Sequence, residues 1–404
     1  NYNAWFSSLG LQAGRGGLDA QLWLEMGEGQ VDVAAEVNAR ELQFQLPGGS
    51  QQQLELSGLD GVIQATNVDG VWNFDLNDLA ISHSDRALQL DRLTGLYDGR
   101  ALVLRSEDVA VEDIVEYLVE DPALPEAAND VLTALSPRGQ FERLQLKLSD
   151  LGDLGRWRLE GNFRELGIDS LRGAPGIENA AGFVSLTRNF GRVQLASSDF
   201  TMDFPTVYRE PLDYSEFSAE LAWELRPDAL LVRSGPFDGV GDEGRAHGLF
   251  SLIVPLQKTP AGVEMELMVG LADTDTNVRV KYLPYTLSEK LLNWLRPSIG
   301  GGRIVEGGFL WRGSLKQPQH RTVQLFFDIE AAALDYHPQW PGLTELDGLV
   351  VIADTDVDVY AQRARLLDSQ ATDLSVTLRS APNKNLLLNV SGQIEGDASD
   401  GLAV

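Results

Sequence analysis

A pattern of eight residues occurs twice in this chain: Pro175-Gly176-Ile177-Glu178-Asn179-Ala180-Ala181-Gly182 returns as Pro341-Gly342-Leu343-Thr344-Glu345-Leu346-Asp347-Gly348. The offset is 166 residues at the proline and again at the final glycine. Upstream of each copy, Leu135-Ser136-Pro137 and Leu295-Arg296-Pro297 end stretches with helical spacing. Self-similarity at a fixed spacing is typical of repeat architectures, in which each unit covers the apolar edge of its neighbour. We therefore expect a repetitive surface rather than a single catalytic pocket.

Strand patterns dominate the rest of the chain. Apolar and polar residues alternate in 18–25, 217–225 and 323–329, for example. A period of two turns one face of a strand toward apolar surroundings and the other toward water. Asp69-Gly70 and Asp98-Gly99 separate such stretches and predict hairpin turns, because Asp-Gly readily adopts positive φ. Hairpin connections in turn predict antiparallel pairing.

Helical patterns occupy two short regions. Residues 111–118 have apolar side chains at helical spacing, and residues 129–135 add a second piece. Thr286-Leu287-Ser288-Glu289 forms a capping box, and Pro297 ends the apolar stripe that follows. We expect these helices to plug or cap the sheet at intervals, since they are too few to cover every strand.

Composition excludes several classes of function. The 404 residues include 32 basic and 60 acidic side chains, a net charge of −28, which opposes binding to nucleic acid and adsorption to an anionic membrane. Cysteine is absent, which excludes disulfides and thiolate sites. No apolar run reaches the roughly 18–20 residues that span a bilayer. Because the chain begins at Asn1 rather than Met, we expect it to be a portion of a longer protein.

No motif points to catalysis, metal binding or a cofactor. The four histidines are scattered. Residues 273–277 and 354–358 resemble calcium loops but lack the glycine and the glutamate that an EF-hand requires. Gly300-Gly301-Gly302 is not followed by the Lys-Ser/Thr of a phosphate loop. We therefore predict no catalytic residue, no metal site and no cofactor.

The apolar faces themselves have more than one use. A closed sandwich core is the commoner use of alternating strands. The same pattern would also suit an open sheet whose apolar face meets a ligand such as an acyl chain. A third hypothesis is a polysaccharide-active enzyme with paired carboxylates and exposed aromatic residues such as Trp311 or Trp340.

Several motifs resemble those of one known family. Tyr336-His337-Pro338-Gln339-Trp340-Pro341-Gly342-Leu343, followed by Leu346-Asp347-Gly348-Leu349, resembles the recurring element of the YhdP family of AsmA-like proteins. The stretch from Leu124 to Phe141 is similar to the family's helix-to-strand element, and the stretch from Tyr282 to Pro297 repeats it. Residues 17–24 are similar to the family's early strands.

The resemblance implies a protein of a Gram-negative envelope. Members of the family are anchored in the inner membrane by an N-terminal helix and cross the periplasm as a long, curled β-sheet with a hydrophobic groove. They are implicated in moving phospholipid between the two membranes. This chain would be an internal periplasmic segment that reaches the inner membrane through a segment it lacks. The implied partners are phospholipid acyl chains and a protein of the outer membrane or envelope, but no nucleic acid.

We therefore predict a mostly-β fold: an elongated, twisted, largely antiparallel repeating sheet, curled into a hydrophobic groove, with short inserted helices. The predicted segments are 1–110, 137–284 and 298–404 as β-groove segments, 111–136 as a helical insert and 285–297 as a short helix. The predicted function is conduction of phospholipid without catalysis. The alternative is a structural or adhesive cell-surface β-repeat protein with a closed core.

The predicted groove residues are apolar members of the alternating strands. They are Leu22, Leu24, Val33, Phe44, Leu146, Leu159, Leu221, Trp223, Met265, Leu267, Leu325 and Phe327. Their shared face follows from alternation, so a slip of one residue would invert the set in any strand.

Overall fold

The fold is mostly β, as predicted. The computed structural model describes residues 12–13, 16–27, 29–45, 53–83, 86–119, 126–153, 155–171, 174–242, 244–275, 293, 299–335, 340–380, 386–397 and 400. Within these ranges lie 23 strands, two α-helices and a 3-10 turn at Pro318–His320. The chain divides into two compact units, Asn1–Leu171 with Gly176–Gln194 and Arg172–Pro175 with Leu195–Val404.

The first unit holds ten strands and both helices among the described residues. The strands are β1 (Gln12–Ala13), β2 (Gly17–Gly27), β3 (Gln30–Gln45), β4 (Gln53–Val68), β5 (Val71–His83), β6 (Arg86–Tyr97), β7 (Leu102–Ala110), β8 (Arg138–Leu148), β9 (Trp157–Ile168) and β10 (Gly176–Thr187). The helices α1 (Val111–Leu118) and α2 (Glu126–Leu135) lie between β7 and β8. The strand β11 (Phe190–Asp203) has residues in both units.

The remaining strands belong to the second unit. They are β12 (Leu212–Leu225), β13 (Ala229–Ser234), β14 (Phe237–Gly241), β15 (Gly244–Pro255), β16 (Glu264–Asp275), β17 (Ile299–Gly300), β18 (Arg303–Ser314), β19 (Arg321–Leu334), β20 (Leu343–Ala353), β21 (Asp356–Leu366), β22 (Ser369–Ser380) and β23 (Leu386–Glu395).

Strands of the first unit pair in chain order. Each strand from β2 to β9 is antiparallel to the next one, and β1 pairs with the far end of β3. The tight turn between β4 and β5 explains why these consecutive strands pair with each other. Asp69 and Gly70 have φ of 52° and 84°, and Val68 lies opposite Val71. Two left-handed residues match the twist of the flanking strands. The predicted hairpin at Asp69-Gly70 is confirmed.

Strands of the second unit follow the same rule with one interruption. The strands β13 and β14 both lie between β12 and β15, and Gly235-Pro236 separates them. Proline has no N–H to donate to a ladder, so it breaks the strand there. From β15 the order continues through β16, β18, β19, β20, β21 and β22 to β23, and β17 pairs with the far end of β19.

The repeated sequence is a repeated hairpin. In β9–β10 the opposed pairs include Phe163 with Gly182, Leu166 with Ala180 and Ile168 with Ile177. In β19–β20 they include Ile329 with Gly348, Ala332 with Leu346 and Leu334 with Leu343. Every residue of the second set lies 166 positions after its counterpart, so the two hairpins share one register.

Both hairpins contain the same pair of β-bulges. The extra residues are Glu165 and Asn179 in one hairpin, with φ of 51° and 57°. In the other they are Ala331 and Glu345, with φ of 51° and 48°. A bulge adds one residue to a strand and bends it. The duplication is therefore preserved down to backbone conformation.

The glycine that opens each repeat lies where the two strands approach closely. A Cβ on Gly176 would stand 3.0 Å from the carbonyl oxygen of Ile168, and one on Gly342 would stand 3.5 Å from that of Leu334. These two carbonyls occupy equivalent places in the repeat. At Gly176 a Cβ would also stand 2.9 Å from the backbone nitrogen of Ser170, so lack of space explains the glycine there. At Gly342 the carbonyl is at ordinary van der Waals distance, and the close contact of a Cβ would be with the carboxylate of Asp335.

The helices α1 and α2 lie inside the predicted insert 111–136. The predicted helix at 285–297 lies outside the described residues, apart from Asn293. The three predicted β-groove segments and their boundaries remain a prediction. Within the described part of the chain, neither helix is long and apolar enough to cross a bilayer.

Asp347 ties the repeated hairpin of the second unit together. One carboxylate oxygen accepts the bulge N–H of Ala331 at 2.9 Å, and the other lies 2.5 Å from Nη2 of Arg363. The backbone hydrogen bond, followed by the contact with Arg363, lowers the pKa of Asp347 below its ordinary value.

Replacing this carboxylate by its amide, Asp347→Asn, should lower the free energy of unfolding by about 1 kcal/mol at neutral pH. Because the pKa is lower in the folded state, the stabilisation is complete above the unfolded value of 3.8 and disappears as pH falls through the folded value. Urea unfolding from neutral pH into the acid range measures both effects.

The control for this test is Glu345→Gln. Glu345 lies 3.4 Å from Arg365 and both side chains are exposed, so the change should stay within about 0.5 kcal/mol. An equal loss of unfolding free energy in the two variants, or a difference between them that grows as pH falls, would contradict the stabilising role of the Asp347 carboxylate.

Candidate functional site

Apolar side chains of the first unit lie on one side of its strands. Leu104 is opposite Leu146, Leu146 is opposite Leu159, and Leu159 is opposite Leu186. Directly opposed residues of an antiparallel pair point to the same side. All four leucines are half-buried. We call this side, which Leu104, Leu146, Leu159 and Leu186 define, the first apolar face.

Charged and polar side chains occupy the reverse side of strands β5–β8. Nη2 of Arg92 lies 2.5 Å from Asp75, and Nε of Arg105 donates to Gln145 at 2.8 Å. The hydrogen bond from Arg92, opposed by partial desolvation, lowers the pKa of the Asp75 carboxyl. The first unit therefore has one polar and one apolar surface.

The second unit repeats this arrangement. Its opposed apolar residues form the rows Trp223–Val232–Leu252–Met265, Phe250–Leu267–Trp311–Val323 and Phe309–Leu325–Ile352–Val357. We call the side that these rows define the second apolar face. On the reverse side, Arg312 pairs with Glu266 at 3.0 Å and Arg379 with Asp358 at 2.6 Å.

Burial differs along the second apolar face. Leu334, Leu346, Val350 and Ile352 have an exposed fraction of 0% and belong to a core built from β18–β22. By contrast, the apolar side chains of β12 and β16 are mostly half-buried. One part of the face is therefore closed, whereas another keeps apolar surface accessible.

The helix α1 covers part of the first apolar face. Ile114 packs against a cluster of Leu79, Leu90 and Val109, on strands β5, β6 and β7. The acidic residues of α1, such as Glu112 and Glu116, are exposed. The helix therefore closes one zone of the face, while the row through Leu146 lies on β7–β10.

Aromatic rings on the apolar faces lie across glycines of neighbouring strands. Phe74 is opposite Gly95 and Phe237 is opposite Gly248, and in each pair the ring occupies the space of a glycine Cβ. Such pairing fills the gap that a glycine leaves in a sheet. The rings thus contribute to a continuous apolar surface.

The structure places the predicted residues of β2 and β3 near the start of the first unit. Leu24 is opposite Val33, and Leu22 is opposite Ala35. Leu22 and Leu24 are 56% and 45% exposed, whereas Val33 is 3% exposed. The backbone of Phe44 belongs to β3, but its side chain lies outside the described residues.

The other predicted residues lie on the apolar face of their unit. Leu146 and Leu159 are directly opposed on the first apolar face. On the second apolar face, the half-buried members are Leu221, Trp223, Met265, Leu267 and Phe327. Leu325 is 4% exposed and belongs to the closed core.

Trp311 was expected to be an exposed aromatic residue under the enzyme hypothesis, and this is wrong: it is 7% exposed, between Leu267 and Val323 on neighbouring strands. Trp340 is 38% exposed. Leu104 and Leu186, which complete the leucine row, were not among the predicted residues, because only the cross-strand register brings them beside Leu146 and Leu159.

Within the described residues, no group of three His, Asp or Glu side chains is placed to hold a metal ion. A shallow surface depression of about 440 Å³ is lined by Glu107, Asp108, Glu142, Arg143 and Arg164. Asp108 has a φ of 51°, and Arg164 lies 3.5 Å from Glu142.

Comparison with known proteins supports a relationship over the whole chain. A protein-family model described as YhdP protein matches residues 1–404. The intermembrane phospholipid transporter YhdP of Escherichia coli strain K12 is 22% identical over 280 residues. The alignment covers 68% of this chain and 22% of that transporter, so the chain spans about a fifth of the relative's length. No solved structure matches the chain.

The difference between the open and closed parts of the second apolar face can be measured with two matched substitutions. Leu325→Asp should lower the free energy of unfolding by on the order of 4 kcal/mol, because it places a carboxylate in a closed core. Leu267→Asp, on a half-buried side chain, should cost about 1 kcal/mol and leave the chain folded. Circular dichroism during thermal unfolding compares the two. Equal losses would contradict the distinction.

Proposed function

The chain belongs to the YhdP family, and on that premise we propose that its apolar faces hold phospholipid acyl chains as the lipid passes between the inner and outer membranes. The name of the relative describes an intermembrane phospholipid transporter, which supports this proposal. Lipid conduction needs apolar surface that water-soluble proteins ordinarily bury.

The observation that carries the proposal is the half-buried leucine row of the first apolar face. Leu104, Leu146, Leu159 and Leu186 lie on four neighbouring strands, which are spaced about 4.8 Å apart. An acyl chain that lies along this row would bury methylene groups, and each buried methylene contributes about 0.8 kcal/mol of binding free energy. Because neighbouring positions offer similar side chains, a shift along the row exchanges one apolar contact for another. Movement along the row therefore needs no chemical step.

The proposed contacts lie on the accessible members of the predicted set. These are Leu22, Leu24, Leu146, Leu159, Leu221, Trp223, Met265, Leu267 and Phe327. Val33 and Leu325 are buried and would support the surface from within. Phe44 remains a proposed contact on its position in the sequence alone.

We propose that this conduction involves neither catalysis nor a cofactor. The name of the relative describes a transporter rather than an enzyme. Several ionised groups with shifted pKa values pair with one another on the polar sides of the sheets, as Asp75 does with Arg92. Such pairing satisfies structural charges and activates no nucleophile.

The proposed location is the periplasm, with attachment to the inner membrane through a part of the protein outside this chain. The net charge of −28 would keep the segment away from anionic bilayer surfaces between its ends. A protein of the outer membrane or envelope is the proposed partner at the far end.

A closed structural β-repeat is the second candidate function, and one observation favours it. The core around Val350 and Ile352 is fully buried, as expected for a dry structural core. The two functions differ at the first apolar face, where a structural protein would hold no lipid.

Purification of the chain from a bacterial host, followed by solvent extraction and mass spectrometry, tests the proposal. We expect co-purified phospholipid and uptake of a fluorescent fatty acid. Leu146→Asp should reduce uptake at least fivefold, because a carboxylate would interrupt the row.

The matched control is Gln145→Asp, one residue earlier on the polar side of the same strand. It should leave uptake unchanged. Absence of lipid and of probe uptake from the folded chain would contradict the proposal, and so would equal losses in both variants.

A further inference from the structure

Trp311 has a buried polar atom without a partner. Its indole lies on the second apolar face, opposite Leu267 and Val323, and is 7% exposed. In the described part of the chain, Nε1 of Trp311 is the buried side-chain nitrogen or oxygen that has no hydrogen-bond partner. Buried tryptophan N–H groups usually find an acceptor, because an unmet donor costs free energy. This donor therefore calls for an acceptor that the described residues do not supply.

Arg321 lies against the same ring. Its guanidinium carbon is 4.9 Å from the centroid of the Trp311 ring, and its opposed residue on β18 is Gly313. A Cβ on Gly313 would collide with the carbonyl oxygen of His320, so the two strand ends approach closely beside Arg321. Arg321 is the first residue of β19, so the pair stands where the second apolar face reaches the loop after β18.

Arg321 also differs from the other arginines of these strands. Arg303 pairs with Asp273 and Glu330, and Arg312 pairs with Glu266. By contrast, no carboxylate of the described residues pairs with Arg321, although acidic residues far outnumber basic ones in this chain. A half-buried guanidinium at the end of an apolar surface is a suitable partner for the phosphate of a lipid.

We propose that Trp311 and Arg321 form a site for the phosphate and glycerol-ester region of a phospholipid. Arg321 would pair with the phosphodiester, and Nε1 of Trp311 would donate to an ester carbonyl oxygen. The acyl chains would then lie along Leu267 and Val323. This inference rests on the proposed function and adds to it a position where the lipid headgroup is recognised.

The geometry implies a local rearrangement on binding. Nε1 is fully covered in this structure, so an ester group reaches it only when neighbouring side chains move. Arg321 is the charged side chain that lies against the ring, and a phosphate would attract it. Headgroup binding and exposure of the indole N–H are thus coupled through one residue.

The test follows the indole N–H of the full chain by NMR, with ¹⁵N-labelled tryptophan. Trp311→Phe identifies the Trp311 signal among the eight tryptophans. The probes are a short-chain phosphatidylglycerol, a diacylglycerol with the same acyl chains, and inorganic phosphate. Phosphatidylglycerol should shift the Trp311 signal downfield, whereas inorganic phosphate alone should not.

The variants separate the two contacts. Arg321→Gln should weaken phosphatidylglycerol binding about tenfold and leave diacylglycerol binding unchanged. Trp311→Phe should weaken both lipids by similar factors, because both contain the ester. The control Arg312→Gln changes a neighbouring arginine on the opposite side of β18 and should change neither. Thermal unfolding of each variant confirms that the fold is kept.

Two outcomes would overturn the site. One is that phosphatidylglycerol leaves the Trp311 signal of the wild-type chain unshifted and binds Arg321→Gln with wild-type affinity, while the chain still takes up a fluorescent fatty acid. The proposed function would then stand without this site. The other is an equal shift with inorganic phosphate alone, which would indicate a free-phosphate site. If the wild-type chain bound no lipid of any kind, the proposed function would fail together with the site.

Discussion

The cross-strand register is the constraint on which the rest of this structure depends. Side chains alternate along a strand, so one extra residue would move every later apolar side chain to the polar side. The bulges at Glu165 and Asn179 absorb such residues, because Phe163 and Leu166 stay on the same side although they are three positions apart. The hairpin 166 residues later has bulges at the equivalent positions, Ala331 and Glu345. These bulges therefore keep the apolar side chains of each repeated hairpin on one side.

This register also separates two kinds of chemistry. Carboxylates and guanidinium groups pair on the polar sides, where Asp75 meets Arg92 and Glu266 meets Arg312. The opposite sides have leucine, valine and aromatic residues, some sealed in a core and some half-buried. The sealed part around Val350 stabilises the second unit, and the half-buried parts supply surface for an apolar ligand. Stability and the proposed function therefore use different stretches of the same kind of face.

Much of the fold could be predicted from local sequence. Alternation identified the strands, and Asp69-Gly70 identified a two-residue turn whose φ values are both positive. Which side of the sheet each side chain faces was harder to predict, because the period of two fails wherever a bulge inserts a residue such as Ala331. Burial could not be predicted at all: Leu267 and Leu325 have the same alternating context, yet Leu267 is half-buried and Leu325 lies in a closed core. Trp311 shows the same limit, since its burial depends on strands distant in sequence.

The central claim is that acyl chains contact one side of the strands and not the other. Photo-crosslinking with a phospholipid that has a diazirine within its acyl chain tests this directly, with adducts located by peptide mass spectrometry. The account predicts adducts on Leu146 and Leu159 and none on Gln145 and Glu160, which lie next to them on the polar side. Adducts on all four residues alike, or only on the polar pair, would contradict it.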